Sequence, residues 1–197
     1  VDGQKFSAAD PTLKARYSRK YFGKDRGVVA YSLLVNHVAL QTELLGANQH
    51  ESYWVFDICY NNTSDIVPAT ITGDMHSINK ANFAILYWFG MNLAPRFTHL
   101  LPQLNHLCCG CDPEEYANFL ILPAAQIDYE LIVSEKDNID RIVATLGLKE
   151  MSQSTLVRKL CTLSGHHRTR KAIFEFDKLI RSIYTLRYLR DPQLQRN

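Results

Sequence analysis

Apolar residues in the first part of this chain come in short β-branched and aromatic runs, whereas from Asn138 onward they recur every three or four positions. That change of period argues against a pure helical bundle and against a pure β-sandwich, and it predicts a sheet built early and covered by helices contributed late. Gly27 to Val35 reads as a buried strand. Leu40 to Gly46 reads as a further strand or an irregular connection, ended by the turn Gly46-Ala47-Asn48. Glu51 to Tyr60, closed by Asn61-Asn62-Thr63, reads as another strand, so the three form an antiparallel meander. Ile66 to Thr72 is again strand-like, with Pro68 placing it at an edge or a strand start. After Gly73-Asp74, Ser77 is an expected N-cap for a helix carrying Ile78, Ala81, Ile85, Trp88 and Phe89, with Gly90 as its stop.

The next stretch has no clear period, although Asp112-Pro113-Glu114-Glu115 is a helix start. Three helices then follow: Ile139 to Leu146 closing at Gly147, Ser152 to Leu163 closing at Gly165, and Thr169 to about Arg190 before Pro192. In the last of these, Ile173, Phe176, Ile180, Ile183 and Leu186 form a stripe read as core. The expected class is α/β, a mixed sheet flanked by helices with a predominantly helical C-terminal half. An RNase H-like sheet fits this order, as do other three-layer arrangements. One domain is expected over 1–197, with a helical extension or insertion from about 134.

The 197 residues, 46% of them hydrophobic, suffice for a real core. No apolar run reaches the roughly 18 to 20 residues of a membrane helix, and no signal segment opens the chain, so a soluble cytoplasmic protein without a membrane partner is expected. A first residue other than Met, with a candidate functional acid at position 2, suggests a chain cut from something longer. The net charge of +2 is too small to imply nucleic acid. Its distribution says more: Lys14, Arg16, Arg19, Lys20, Lys24 and Arg26 are interleaved with Tyr17, Tyr21 and Phe22, and only Asp25 opposes them. Such a segment is either a DNA-facing surface, pairing phosphate contacts with stacking faces, or a basic loop with its aromatics tucked into the core. Five cysteines, three of them crowded at 108, 109 and 111, do not resemble a secreted disulfide framework, so reduced thiols are expected. His106, Cys108 and Cys111 could make a metal knuckle, but a closed zinc site needs four ligands and no second C-x-x-C exists.

Metal-assisted phosphoryl transfer requires carboxylates converging from separated chain positions, because hard divalent ions prefer oxygen ligands. Asp74, between a strand and a helix, is the best-placed acid, and a turn residue or helix cap is its plain alternative. Asp2 taken alone is uninformative.

The segments Asp2-Gly3-Gln4-Lys5-Phe6 and Thr72-Gly73-Asp74-Met75-His76-Ser77 resemble those around the first two catalytic aspartates of the Tn-three family of bacterial replicative transposases. Lys5 stands where that family usually has Arg. Leu93 to Phe97, Asn138 to Lys149, Leu156 to Cys161 and Ala172 to Asn197 extend the resemblance over nearly the whole chain. The resemblance implies a DDE transposase with an RNase H-like core that nicks DNA at transposon ends and joins the freed 3′ hydroxyl to target DNA. It implies Mg²⁺ or Mn²⁺ held by Asp2 and Asp74, with Gln4, Lys5 and His76 as supporting groups or phosphate contacts. Lys14 to Arg26 becomes a DNA-facing surface, a homo-oligomer is a possible assembly, and the setting is the bacterial cytoplasm at the nucleoid. The family's catalytic Glu lies a short way beyond a segment like Gln195-Arg196-Asn197, so two catalytic residues carry over rather than three, and an inactive fragment is expected. The alternative is a non-enzymatic DNA-binding or oligomerisation module.

Overall fold

The computed structural model describes residues 1–10 and 12–196, with the side chain of Arg196 left out; Asn197, the end of the last matching segment, lies outside the described residues. The architecture is mixed α/β. Its sheet is built from β1 (Asp2–Ser7), β2 (Arg16–Tyr17), β3 (Arg26–Val35) and β4 (Val38–Gly46), with the short helix α1 (Arg19–Phe22) between β2 and β3. β1, β2 and β4 all pair antiparallel with β3. β3 and β4 form a hairpin whose two connecting residues, Asn36 and His37, both have positive φ, as a tight turn matched to the twist of its strands requires. Val29, Tyr31 and Leu33 on β3 are buried, and the residues between them are only partly so. One face of the sheet therefore makes core and the other does not.

The stretch read as a third meander strand is instead a 3-10 turn, Glu51–Tyr53, followed by α2 (Val55–Tyr60). Val55, Phe56, Asp57, Ile58 and Cys59 are all buried. A short run buried on every side carries no period that separates strand from helix, and its aromatic and β-branched composition tipped the reading the wrong way.

Of Ile66 to Thr72, only β5 (Thr70–Ile71) is strand, and it runs parallel to β6 (Asn92–Leu93). Ser77 does not cap the following helix. It belongs to a 3-10 turn, Met75–Ser77, and its hydroxyl donates to the Asp74 carbonyl at 2.6 Å. Helix α3 begins only at Asn82 and runs to Trp88. Gly90 adopts the left-handed conformation (φ 72°) that its place after that helix predicted.

The middle of the chain holds α4 (Leu100–Leu104), the parallel pair β7 (Cys108–Cys109) and β8 (Ala125–Gln126), and a 3-10 turn, Pro113–Tyr116, at the expected Asp-Pro start. All five cysteines are free thiols. The helical half contains α5 (Tyr129–Ser134), α6 (Lys136–Gly147), α7 (Gln153–Thr162), α8 (Arg168–Arg190) and α9 (Pro192–Arg196). Gly147 is the last residue of α6 rather than its stop. It lies beside the Phe89 ring, and its carbonyl accepts from the Tyr60 hydroxyl at 2.9 Å, while Lys149 takes the left-handed turn.

The apolar stripe of α8 is not all core. Ile173 is fully buried, but Ile183 and Leu186 are exposed, and the buried face continues through Asp177, Tyr184 and Tyr188. Tyr184 and Tyr188 pack around Phe97, and the Tyr184 hydroxyl donates to the Pro95 carbonyl at 2.8 Å. Polar residues entered the core face because their groups find partners there, which a reading by hydrophobicity overlooks. The hydrophobic core runs from Val29 to Tyr188, joining the sheet, α2, α3, α7 and α8. Among the described residues, no helix is long and apolar enough to cross a membrane.

Candidate functional site

β1 lies against the segment that carries Asp74. The Val1 amino group donates to the Thr72 carbonyl at 2.6 Å, and a side chain on Gly73 would meet the Val1 methyl at 3.2 Å. The first residues of β1 thus adjoin the end of β5, and Asp2 and Asp74 follow on either side of that contact.

Both acids keep carboxylate oxygen available. Asp2 accepts from the Gly3 backbone N–H at 2.9 Å through one oxygen. Asp74 accepts from the His76 backbone N–H at 2.8 Å through Oδ1, and its Oδ2 lies 4.0 Å from the His76 ring. Asp74 therefore acts as the turn cap that was its plain alternative, and the residue is exposed.

Strand alternation divides the neighbouring residues. Asp2 and Gln4 point to one face of the sheet and are exposed, whereas Gly3 and Lys5 share the opposite face with their cross-strand partners Tyr31 and Val29. Gln4 and Lys5 therefore do not act from the same side. Lys5 is bound to Glu51 at 2.9 Å. Burial alone would lower the Lys5 ammonium, but the hydrogen bond and charge of Glu51 outweigh it and raise the group, with a further contribution from Asp74.

The reading of the sequence did not single out Glu51, Tyr31 and His50. The Glu51 carboxylate occupies the space beside Gly3, where a Cβ would come within 2.5 Å of it, so a side chain at that position would have to displace the carboxylate from its place beside Lys5. The Tyr31 hydroxyl is buried and has no hydrogen-bond partner among the described residues. Burial raises it far above the ordinary range for a phenol, and Cys59, Glu51, Asp74 and Asp2 add to the effect. Burial lowers the His50 imidazole, as does the nearby His76, while Asp74 opposes them. Only the irregular passage from β4 into α2 brings Glu51 back to β1, and no local pattern signals that return.

Of the basic segment, Lys14, Arg16, Arg19, Lys20, Lys24 and Arg26 are all exposed. Arg16 is partly committed, since its guanidinium donates to the Leu13 and Ala15 carbonyls at 2.8 and 3.0 Å. Tyr21, flanked by the ammonium groups of Lys5 and Lys20 at 4.7 and 4.9 Å from its ring, is 40% exposed. Tyr17 is exposed too, so these two aromatics are not tucked into the core. Lys5, Lys20, His50 and His76 share a cavity of about 230 Å³. Cys108 Sγ approaches the His106 carbonyl rather than its ring, and among the described residues no three His, Cys, Asp or Glu side chains are grouped to hold a metal ion.

The family model described as Tn3 transposase DDE domain matches residues 1–197. The transposase for transposon Tn4556 of Streptomyces fradiae is 23% identical over 197 residues, covering all of this chain and 22% of that protein. The transposase for transposon gamma-delta of Escherichia coli is 22% identical over 204 residues, covering all of this chain and 20% of its own length. This chain spans about a fifth of the curated relatives it matches. No solved structure matches it.

Proposed function

This chain belongs to the Tn3 transposase DDE domain family, and from that membership we propose that it is part of a transposase catalytic core in which Asp2 and Asp74 hold a divalent metal ion at the DNA strand to be cut. The observation that carries this reading is the 2.6 Å contact between Val1 and Thr72, which joins the strand ends bearing the two acids. An RNase H-like arrangement is supported by the antiparallel run β4-β3-β1 and by the parallel strand-helix-strand unit β5-α3-β6 beside it.

The donor set fits Mg²⁺ or Mn²⁺. Both groups are carboxylates on exposed residues, and Mg²⁺ is commonly held by one or two carboxylates with waters and substrate phosphate completing its shell. Such an ion, when bound, activates the attacking oxygen and neutralises charge on the phosphate. The protein's own contributions are to fix Asp74 through its turn and to seat β1 through Lys5 and Glu51. Gln4 shares the face of Asp2 and meets the DNA strand there, His76 stands beside Asp74, and Lys5 supports β1 from the opposite face through Glu51. Lys14 to Arg26 lies along the DNA on either side, with Tyr17 and Tyr21 as stacking surfaces. The setting is the bacterial cytoplasm, where transposon ends and target DNA are found, and self-association is the assembly to look for.

Among the described residues no third His, Cys, Asp or Glu side chain joins the two aspartates, which favours a chain that holds metal weakly and does not cut DNA by itself. The same observation favours the second reading, a module that binds DNA without chemistry. Titration with Mn²⁺ followed by electron paramagnetic resonance separates the two. Asp2→Asn and Asp74→Asn should each weaken Mn²⁺ binding at least about tenfold, since each removes a charged ligand, while duplex DNA binding in the absence of metal is retained. Unchanged Mn²⁺ affinity in both variants would remove the metal-site assignment.

A further inference from the structure

A cavity of about 720 Å³, larger than that beside Lys5, lies where the first half of α8 meets the β7–β8 region. Five of the side chains around it are permanent cations: Lys80, Arg170, Lys171, Lys178 and Arg181. Against them stand the carboxylates of Asp128, Glu175 and Asp177. Glu175 is already bound to Lys178 at 2.6 Å, and Asp177 is buried with the Ala84 backbone N–H donating to it at 3.2 Å. Lys80 and Lys171 have no carboxylate partner among the described residues and are exposed.

Arg170 is held in place rather than free. Its guanidinium lies over the Phe174 ring at 5.0 Å, and it donates to the Ser164 carbonyl at 3.4 Å. Its Nε is nevertheless buried without a partner, and a buried charged donor left unmade is costly. A second cavity of about 290 Å³ shares Lys80, Arg170 and Phe174 with the first, so these three residues form the wall between two adjoining hollows. A preorganised guanidinium beside mobile ammonium groups is the chemistry that recognises phosphate oxygens.

We propose that the groove lined by Lys80, Arg170 and Lys171 is a second DNA-binding site, which takes the phosphodiester backbone of a duplex apart from the Asp2 and Asp74 region. The proposal rests on the transposase reading and extends it. Lys80 is carried by the chain that leads from Asp74 into α3.

The test is fluorescence anisotropy of a labelled DNA duplex titrated with the chain between 50 and 200 mM salt, conditions chosen for the measurement. Lys80→Gln and Lys171→Gln change exposed side chains, and circular dichroism should report an unaltered fold. Each removes about one phosphate contact, so the slope of log K against log salt should fall by about 0.9 per substitution. Affinity near 0.1 M salt should fall up to about eightfold for each and about sixtyfold for the pair. Arg170→Met keeps the packing on Phe174 and should weaken binding as well. Wild-type affinity and slope in the double variant and in Arg170→Met would overturn the second site while leaving the transposase reading in place. Failure of the unaltered chain to bind the duplex at all would overturn both.

Discussion

Replacing Gln153 with Met should destabilise the chain by about 3 to 5 kcal/mol, more than any surface substitution, although the side chains are similar in volume. Gln153 is fully buried at the start of α7. Its amide oxygen accepts from the Phe56 backbone N–H at 2.7 Å, a donor in the first turn of α2 that has no partner within that helix. Its amide nitrogen reaches the Ser52 carbonyl and the Asn82 side chain. Asn82 in turn donates to the carbonyls of Ser52 and Ser77 at 2.8 and 2.6 Å. In the reverse direction, the Asp57 carboxylate accepts from the backbone N–H groups of Gln153 and Ser154 at 2.7 and 3.1 Å, capping α7.

Met would leave the Phe56 donor and the Asn82 oxygen buried and unpaired, at about 1 to 3 kcal/mol each. Urea unfolding at constant pH measures the loss, and a change below about 1 kcal/mol would refute the network's importance. The effect reaches the candidate site. Ser52 follows Glu51, and Ser77 closes the turn that begins at Asp74, so this network fixes Glu51 and Asp74 relative to α3. The Met variant, still folded at low temperature, should therefore also bind Mn²⁺ less well.

The second large effect concerns pH. Asp177 is buried in α8, and burial pushes its carboxyl up from 3.8 to about 7, although the backbone N–H of Ala84 and the nearby Arg181 charge both oppose the shift. A folded-state value above the unfolded one means that the native chain binds more protons between those two values. Stability from this group is fully present below about pH 4, and it falls as pH rises to about 7. Three units correspond to about 4 kcal/mol.

Asp177→Asn retains an oxygen to accept from Ala84 and has nothing to ionise. At pH 8 the variant should be more stable than the parent by an amount approaching that figure, less the cost of fitting its NH₂ group, and the advantage should vanish towards pH 4. Comparing the two chains by urea unfolding across this range isolates Asp177 from every other titrating group. A difference that does not vary with pH would show that the carboxyl titrates in its ordinary range.

Much of the helical half was legible in the sequence because its boundaries are set locally. Ser152 caps α7 by accepting from the Thr155 backbone N–H, and Pro192 follows the end of α8; earlier in the chain, Gly90 after α3 likewise supplies a conformation that L side chains resist. The strand over β3 was legible because Gly27 to Val35 is a short β-branched apolar run, whereas the alternation that buries only one of its faces was visible only in the structure. Asp74 could be picked out because a strand and a turn bracket it, and the resemblance around Asp2 and Asp74 gave those two positions a chemistry that spacing alone did not.

Four features were decided only by tertiary structure. Glu51 to Tyr60 is helical because it is buried on all sides between the sheet, α3 and α7, where Gln153 satisfies an end that would otherwise be unpaired. Ser77 serves Asp74 instead of a helix because its hydroxyl finds the nearer carbonyl. α8 turns Asp177, Tyr184 and Tyr188 inward and leaves Ile183 and Leu186 outside, since buried polar groups there have partners that hydrophobicity does not register. Glu51 meets Gly3 and Lys5 across 46 or more residues of chain. Local rules fix where elements begin and end because they act within a turn of backbone. Which side chains face one another depends on how those elements pack, and in this chain the packing brings Glu51 to Gly3 and Lys5 on the face of β1 opposite Asp2.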